Sequence, residues 1–244
     1  MCIIAVAYQV NSDWPLLAIA NRDEFHDRPS APLSQWEDCP DVIAGRDIEA
    51  GGTWLGVTHS GRLAAVSNVR RVEGAPVPDG SRGVLVLDYL NNGLLPTDEA
   101  AQLIRPFNLI TVGPAGPIFL TNRPRSRRQV LKRGIHVFSN GALNDHWPKT
   151  RRLKSALAGR ISSSAPLDLT GLFDELAPET AASCSADPIE ESIFVLGPTY
   201  GTRCSTVLGV DASGAGKIVE RSFGPTGEFL GESSGAFAWP TPPC

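Results

Sequence analysis

Short apolar segments separated by turn residues most constrain the fold of this 244-residue chain. Residues 2–10 are apolar and β-branched, residues 11–13 are Asn-Ser-Asp, and residues 16–21 form a second apolar run. A similar pair follows at residues 51–58 and 63–68, with a Gly-containing turn between them. This pattern predicts antiparallel hairpins, because each pair of runs is joined by a turn that is too short for a crossover helix.

Helical patterns lie in the middle of the chain, and strand patterns lie on either side of them. Helices are predicted over residues 81–91, 100–104 (after a cap and first turn at 97–99), 149–157 and 167–176. Further strands are predicted over residues 107–112, 117–120, 134–139, 192–196, 205–210 and 217–222. Irregular structure is predicted for residues 30–41, for the basic turn 123–128 and for the tail 239–243. The arrangement indicates an α+β chain of stacked antiparallel sheets covered by helices.

Composition narrows the class of protein. The net charge is −4, which gives no reason to expect nucleic acid as a partner. The apolar runs are far shorter than a bilayer span, so no stable membrane insertion is expected. No basic segment precedes the first apolar run, and the five cysteines are scattered without metal-site spacing. We therefore expect a cytoplasmic protein with one domain over residues 1–244, no disulfide framework and no metal site.

The second residue is a cysteine, and this position gives it two chemical groups at once. Met1 is normally removed when residue 2 is as small as cysteine, which would leave Cys2 with a free α-amino group. Such a residue holds both a thiol nucleophile and a base, because an α-amine has a pKa near ~8. The alternative is that Cys2 is a small buried residue at the start of a strand.

Six segments together resemble one known family. They are Met1–Ile4, Ala20–Phe25 with Arg28-Pro29, Gly51–Gly56, Phe107–Ile110, Ser139-Asn140 with Trp147–Lys149, and Tyr200–Arg203. In this order they resemble the NRDE-motif family, also called the transport and Golgi organisation protein 2 family. The resemblance implies a four-layer αββα sandwich of antiparallel sheets, like that of N-terminal nucleophile hydrolases. Family members are linked variously to haem trafficking, acyl-CoA handling and lipid homeostasis, and secretory organisation, so no single activity is implied.

A more distant resemblance, to the penicillin V acylase and bile-salt hydrolase group, implies roles for individual residues. By this resemblance Cys2 is the nucleophile of an amide or thioester hydrolase, and Asn68 is a donor to the oxyanion. Asn140 positions the α-amine or the substrate. Arg22 lowers the pKa of the thiol, and Asp23 orients the α-ammonium group.

One departure from that group concerns the spacing of Arg22 and Asp23. In the hydrolases the aspartate follows the arginine by three residues, whereas here it follows directly. Neighbouring residues of a strand point to opposite faces, so both face Cys2 only if the strand has ended or bulged there. The alternative is a salt-bridged corner in which residues 22–24 pair with Arg28 or Arg46.

The remaining candidates concern ligand binding. The candidate ligand-binding residues are Asn21, Glu24, Trp54 and Arg203. Trp54 is expected as a wall of the core or of a pocket, and Arg203 as a second cation near the site. The four histidines occupy no motif, although each is a potential ligand of haem iron. Two functions stay open: a Cys2-dependent hydrolase that requires no cofactor, and a non-catalytic carrier of haem or acyl-CoA.

Overall fold

The computed structural model describes residues 2–70, 80–178 and 191–240. Its first sheet has six strands, in the spatial order β10 (Gly134–Phe138), β1 (Cys2–Tyr8), β2 (Leu16–Phe25), β11 (Tyr200–Val210), β12 (Ala215–Phe223) and β13 (Phe229–Ala238). Its second sheet has seven, in the order β3 (Ser30–Gln35), β4 (Val42–Asp47), β5 (Leu55–Thr58), β6 (Leu63–Asn68), β7 (Phe107–Gly113), β8 (Gly116–Thr121) and β9 (Arg127–Val130). All neighbouring strands in both sheets are antiparallel.

The two sheets pack face to face because alternate residues of their strands are apolar on the inner side. Ile4 and Val6 of β1 belong to the same buried core as Val57 of β5 and Ile110 of β7. Burial of one such side chain stabilises the fold by roughly 1.5–3 kcal/mol. The central core therefore lies between the sheets.

Helices cover both outer faces. The outer side of the first sheet packs on α3 (Pro148–Ser162) and on a 3₁₀ helix (Thr170–Leu176). The outer side of the second sheet packs on α1 (Arg82–Asn92) and α2 (Asp98–Gln102). The result is a four-layer αββα sandwich, which confirms the predicted fold class.

The first predicted hairpin is confirmed, and its second strand is longer than expected. β1 and β2 pair in a register that places Cys2 opposite Arg22 and Tyr8 opposite Leu16. β2 continues to Phe25, whereas the prediction ended the strand at residue 21. The Asn21–Glu24 segment is therefore strand, and its side chains alternate between the two faces of the sheet.

The irregular structure predicted for residues 30–41 is wrong over its first half, which is β3. Pro32 lies at a register shift between Ala31 and Ser34, and β3 is the edge strand of its sheet. Proline is tolerated at such a position because an edge strand leaves some backbone N–H groups unpaired. The Pro content alone therefore did not exclude a strand.

Other differences occur where sequence periodicity is weak. Residues 192–196 are not a strand, and the segment is held by reciprocal hydrogen bonds between Val195 and Thr202. β13 was missed because it is a half-exposed edge strand of small and polar residues.

Three other predicted segments differ in type or in where they begin. The segment 167–176 is a 3₁₀ helix from Thr170 onward, and the basic turn at 123–128 leads into the exposed strand β9. The strand predicted at 51–58 begins only at Leu55, after Gly51 adopts a positive φ of 72°. The predicted irregular tail lies largely outside the described residues, beyond 240.

No helix in the described parts of the chain is long and apolar enough to cross a membrane.

Candidate functional site

A cleft of about 500 Å³ opens where β1 begins and β2 ends. The first sheet contributes Cys2 and Arg22 to its wall, and the second sheet contributes Asn68 at the end of β6. Trp54, just before β5, and Arg82, the first residue of α1, also line the cleft. Strand ends from both sheets therefore meet at one edge of the sandwich.

Cys2 lies on the inner face of the first sheet and is 9% exposed. Burial raises the pKa of its thiol, and the Arg22 guanidinium on the neighbouring strand acts in the opposite direction. Burial is the larger effect, so the protein holds Cys2 as a neutral thiol rather than a preformed thiolate. A nucleophile in this state needs a base to remove its proton.

Arg22 is held between the sheets by Trp54 and Asp47. Its guanidinium carbon lies 4.2 Å from the centre of the Trp54 ring, and its Nη2 lies 3.7 Å from Oδ2 of Asp47. The side chain is 5% exposed, and its Nη1 has no hydrogen-bond partner in the described structure. A buried donor of this kind is costly unless a ligand or water satisfies it.

Gly45 of β4 makes room for this stacked pair. A Cβ atom on Gly45 would overlap the six-membered ring of Trp54, so only glycine allows the indole to lie against β4. Sequence reasoning did not find this requirement, because Gly45 lies in an otherwise ordinary strand.

Asn21 and Asp23 point to the opposite face of β2. The Asn21 amide donates to the carbonyl oxygens of Leu176 and Ile193, both at 2.9 Å, and accepts from the Ser205 hydroxyl at 2.6 Å. Asn21 does not line the cleft, so its predicted ligand-binding role is replaced by a structural one. It fixes the 3₁₀ helix and the chain near residue 193 to the sheet.

Asp23 accepts a hydrogen bond from the Thr202 hydroxyl at 2.7 Å and also borders the cleft. Burial raises the pKa of its carboxyl group, while the bond from Thr202 opposes the rise. β2 continues as strand through Asp23, although its pairing with β1 ends at Arg22 and β11 shifts register between Thr202 and Cys204 opposite this step. Arg22 stacks on Trp54 whereas Asp23 bonds to Thr202, so the two side chains have different partners although both border the cleft.

Asn68 and Asn140 lie together but have different surroundings. Asn140 is 1% exposed, and its amide donates to the Asn68 carbonyl oxygen at 2.8 Å. The Ser139 hydroxyl lies 2.8 Å from the Cys2 carbonyl oxygen and 3.0 Å from Oδ1 of Asn140. Asn140 therefore holds the end of β6 and is not among the residues that line the cleft. The half-buried Asn68 side chain lines the cleft, and within the described residues it has no hydrogen-bond partner.

Glu24 lines the cleft, whereas Arg203 does not. The Arg203 guanidinium donates to the backbone carbonyl oxygens of Phe25, His26 and Arg28 and so closes the turn after β2. It borders a separate cavity of about 330 Å³, on the far side of the Arg22–Trp54 pair. The predicted role of Arg203 as a second cation beside Cys2 does not fit this position.

A salt-bridged corner forms around Asp47, a residue that the sequence-based alternative did not name, and it joins Arg22 and Arg28. Arg28 donates to both carboxylate oxygens of Asp47, at 2.8 and 3.2 Å, and Arg22 approaches the same group. These contacts hold the pKa of Asp47 below its usual range despite partial burial. Arg46 instead pairs with Asp38 on the surface. Nothing in the local sequence around Asp47 marked it as the partner of Arg22.

The described residues contain no group of three or more metal-ligating side chains. His26, His59, His136 and His146 all lie outside the lining of the Cys2 cleft.

Comparison with known proteins identifies the family. The family model described as transport and Golgi organisation 2 matches residues 1–225. The chain belongs to this family. It is 30% identical to the mouse transport and Golgi organization 2 homolog, over 91% of this chain and 93% of the mouse protein. The human homolog is also 30% identical, with the same two coverages.

One solved structure supports the fold of this family member. A variant of conjugated bile acid hydrolase from Clostridium perfringens aligns over 99% of this chain and 98% of its own, with a TM-score of 0.50 and 9% identity. An N-acylethanolamine-hydrolyzing acid amidase ortholog from Caenorhabditis elegans aligns over 84% and 92%, with a TM-score of 0.48 and 15% identity. At 9% identity the likeness to the bile acid hydrolase shows the fold alone, an N-terminal-nucleophile-hydrolase-like sandwich.

Proposed function

We propose that this protein is a Cys2-dependent hydrolase of amide or thioester bonds, active after removal of Met1. The observation that carries the proposal is the cleft itself, which is lined by Cys2 and by an Asn68 amide that has no hydrogen-bond partner among the described residues. A nucleophile and an oxyanion donor on neighbouring strand ends are the minimum set for acyl transfer. No cofactor is required for this chemistry.

The α-amine of Cys2 acts as the base in this proposal. It takes the thiol proton, and the sulfur forms a bond to the carbonyl carbon of the substrate. Asn68 donates to the resulting oxyanion. Collapse of the tetrahedral intermediate expels the amine or thiol leaving group, which receives the proton from the α-ammonium group. Water then hydrolyses the acyl-enzyme with the same amine as base.

The register of β1 and β2 supports a role for Asp23 beside this amine. Cys2 pairs with Arg22, so the next residue of β2, Asp23, follows the position opposite Cys2. In a chain that begins at Cys2, the α-amine lies at this end of β1. A carboxylate there orients the α-ammonium group that forms during the reaction. Arg22 is proposed to stabilise the thiolate as it develops, because it lies directly across the sheet from Cys2.

The second candidate is a non-catalytic carrier of haem or an acyl-CoA. The observation that favours it is the burial of Cys2, which raises the pKa of the thiol and so disfavours attack. Both proposals place the protein in the cytoplasm, where the free thiols of Cys2, Cys39 and Cys204 would stay reduced.

Substitution of Cys2 separates the two functions. For the hydrolase, Cys2→Ala abolishes turnover of a panel of amide and thioester substrates, while Cys2→Ser leaves a weak remnant because a hydroxyl is a poorer nucleophile at neutral pH. Both variants should keep the unfolding free energy of the wild type, measured by urea denaturation, to within about 1 kcal/mol, since little packing is removed. Turnover is followed by release of the amine or thiol product.

The carrier gives the opposite pattern. Wild type and Cys2→Ala then bind haem or acyl-CoA equally well in parallel titrations, and neither protein turns over any substrate in the panel. That outcome rejects the hydrolase.

A further inference from the structure

Two arginines form the wall of the Cys2 cleft opposite the carboxylates. Arg82 is the first residue of α1, and Arg105 lies just before β7. Both line the cleft, together with Ser81 and Gly83. Among the described residues, the Arg82 guanidinium donates one hydrogen bond, to the carbonyl oxygen of Pro106 at 3.3 Å. Within residues 2–70, 80–178 and 191–240 neither arginine has a carboxylate partner.

This lack of carboxylate partners contrasts with the opposite wall. There Asp47 and Glu49 hold Arg28, and Asp47 also approaches Arg22. The carboxylates of Asp47 and Glu49 are thus already engaged, whereas Glu24 lines the cleft and, among the described residues, accepts a hydrogen bond from the backbone N–H of Phe25. Burial lowers the pKa of Arg82, and the positive charge of Arg105 lowers it further. Two guanidinium groups kept this close without an anion repel each other.

The start of α1 adds partial positive charge to the same wall. Its N-cap residue Ser81 makes no side-chain hydrogen bond to the first turn, and that turn contains no acidic residue. The first amide N–H groups of a helix have no partner within the helix, which favours binding of an anion there. α1 is 11 residues long, so the helix dipole is well developed.

An independent observation in this cleft also indicates a missing acceptor. Arg22 is 5% exposed and lines the cleft, yet its Nη1 is a buried donor without a partner in the described structure. Arg82 lines the same cleft as Cys2, and the carboxylate of Glu24 partly opposes the lowering of the pKa of Arg82 by burial and by Arg105. Arg22, Arg82 and Cys2 therefore face one ligand volume.

We propose that the α1 end of the cleft, formed by Arg82, Arg105 and the first turn of α1, binds an anionic group carried by the ligand. The anion is a phosphate or a carboxylate, since both accept forked hydrogen bonds from guanidinium groups. The inference rests on the proposed function in one respect: the anion belongs to the molecule whose acyl carbon Cys2 attacks. It therefore names the substrate class as acyl compounds with a negatively charged group.

The other basic segment of the chain does not offer such a site. Arg127 and Arg128 lie on β9, the exposed edge strand of the second sheet, and Arg125 precedes it on the surface. Charged residues at a sheet edge prevent association with other strands. Arg125 therefore supplies a matched control that removes one positive charge outside the cleft.

Binding of a simple anion to the Cys2→Ala protein tests the proposal without catalysis. Inorganic pyrophosphate and succinate, titrated by calorimetry at low salt, represent the phosphate and carboxylate classes. We expect at least one to bind, and Arg105→Gln to weaken it about fivefold or more, the effect of one charged contact. Arg125→Gln should leave the affinity unchanged. Arg105 is exposed, so its replacement leaves the fold intact.

The outcomes separate this proposal from the hydrolase. No binding of either anion, or equal weakening by Arg105→Gln and Arg125→Gln, overturns the anion site. Binding that depends on Arg105, in a protein whose wild type shows no turnover, rejects hydrolysis and leaves the anion site standing. Turnover of neutral substrates alone, with no anion bound, rejects the site and leaves the hydrolase.

Discussion

The two faces of β2 differ in how completely their polar groups are satisfied. On the face toward the 3₁₀ helix, the amide of Asn21 has three hydrogen-bond partners and Asp23 accepts from Thr202. On the face toward the second sheet, Arg22 keeps a buried donor without a partner, and Glu24 lines an open cleft. Asn21 thus belongs to a structural network, Arg22 and Glu24 line the candidate site, and Asp23 is hydrogen-bonded in the network while also bordering the cleft.

A contiguous motif on a strand therefore does not act as one unit. Side chains of a strand alternate between faces, so residues one apart meet different layers of the sandwich. Hydrogen bonds on the helical side secure the layers, whereas the cleft side keeps polar groups available for a ligand. The comparison predicts that substitutions on the two faces have different consequences.

The largest difference is expected between Asn21→Ala and Asn68→Ala. Removal of the Asn21 amide leaves two backbone carbonyl groups and the Ser205 hydroxyl without their partner, at a cost of about 3 kcal/mol or more in unfolding free energy. Asn68→Ala should cost less than about 0.5 kcal/mol, because its half-buried side chain has no partner in the described structure. Urea denaturation of both variants measures the two costs. Equal costs would remove the distinction between the two faces.

A smaller effect is expected from Gly45→Ala, which tests the cleft face. The new methyl group would displace the Trp54 ring and loosen its stack on Arg22, destabilising the protein by about 2 kcal/mol. The control is Gly159→Ala in α3, where an added Cβ meets nothing within 4 Å. That variant should be more stable than wild type, by up to about 1 kcal/mol. Thermal unfolding checks both, and a neutral Gly45→Ala would mean that the Trp54 site is adaptable.

The smallest effect concerns pH and a carboxyl group buried between the sheets. Glu220 accepts from the backbone N–H of Leu33 at 2.9 Å, yet burial raises its pKa above the usual value. A raised pKa means that the folded state binds the proton more tightly, so this contribution is present at low pH and lost as pH rises. The stability advantage of Glu220→Gln over wild type should therefore grow between about pH 4 and pH 7.

Glu228→Gln is the control with the opposite sign. Hydrogen bonds from Thr226 hold the pKa of Glu228 below its usual range. Its contribution is present above the ordinary pKa of glutamate and lost as pH falls, so the advantage of wild type over Glu228→Gln should shrink in acid. Urea midpoints across pH measure both trends. A pH-independent difference for Glu220→Gln would show that its proton affinity does not change on folding.

Much of the fold could be predicted from the sequence because its strongest signals are local. Two apolar runs joined by a polar turn were sufficient to predict the hairpin of β1 and β2. The edge strands β3 and β13 were not predictable in this way, because they are half-exposed and tolerate proline, glycine and serine. Their assignment depends on neighbours that are distant in sequence.

The candidate site was predictable where residues sit at strand ends. Cys2, Arg22, Asn68 and Trp54 line one cleft. Strand alternation also indicated that Arg22 and Asp23 could not both face Cys2 unless the strand ended or bulged there. Asp47, Arg82, Arg105 and Gly45 could not be found, since each acts through a contact across layers of the sandwich. Asn21 and Arg203 were assigned to the ligand because the sequence does not reveal which backbone carbonyls a side chain will reach.

An intact-mass measurement of the native protein shows whether Cys2 can be both nucleophile and N-terminal base. We expect a chain that begins at Cys2, with a free α-amine beside the thiol. A protein that retains Met1 would have that amine locked in a peptide bond, and this result would contradict the proposed hydrolase outright.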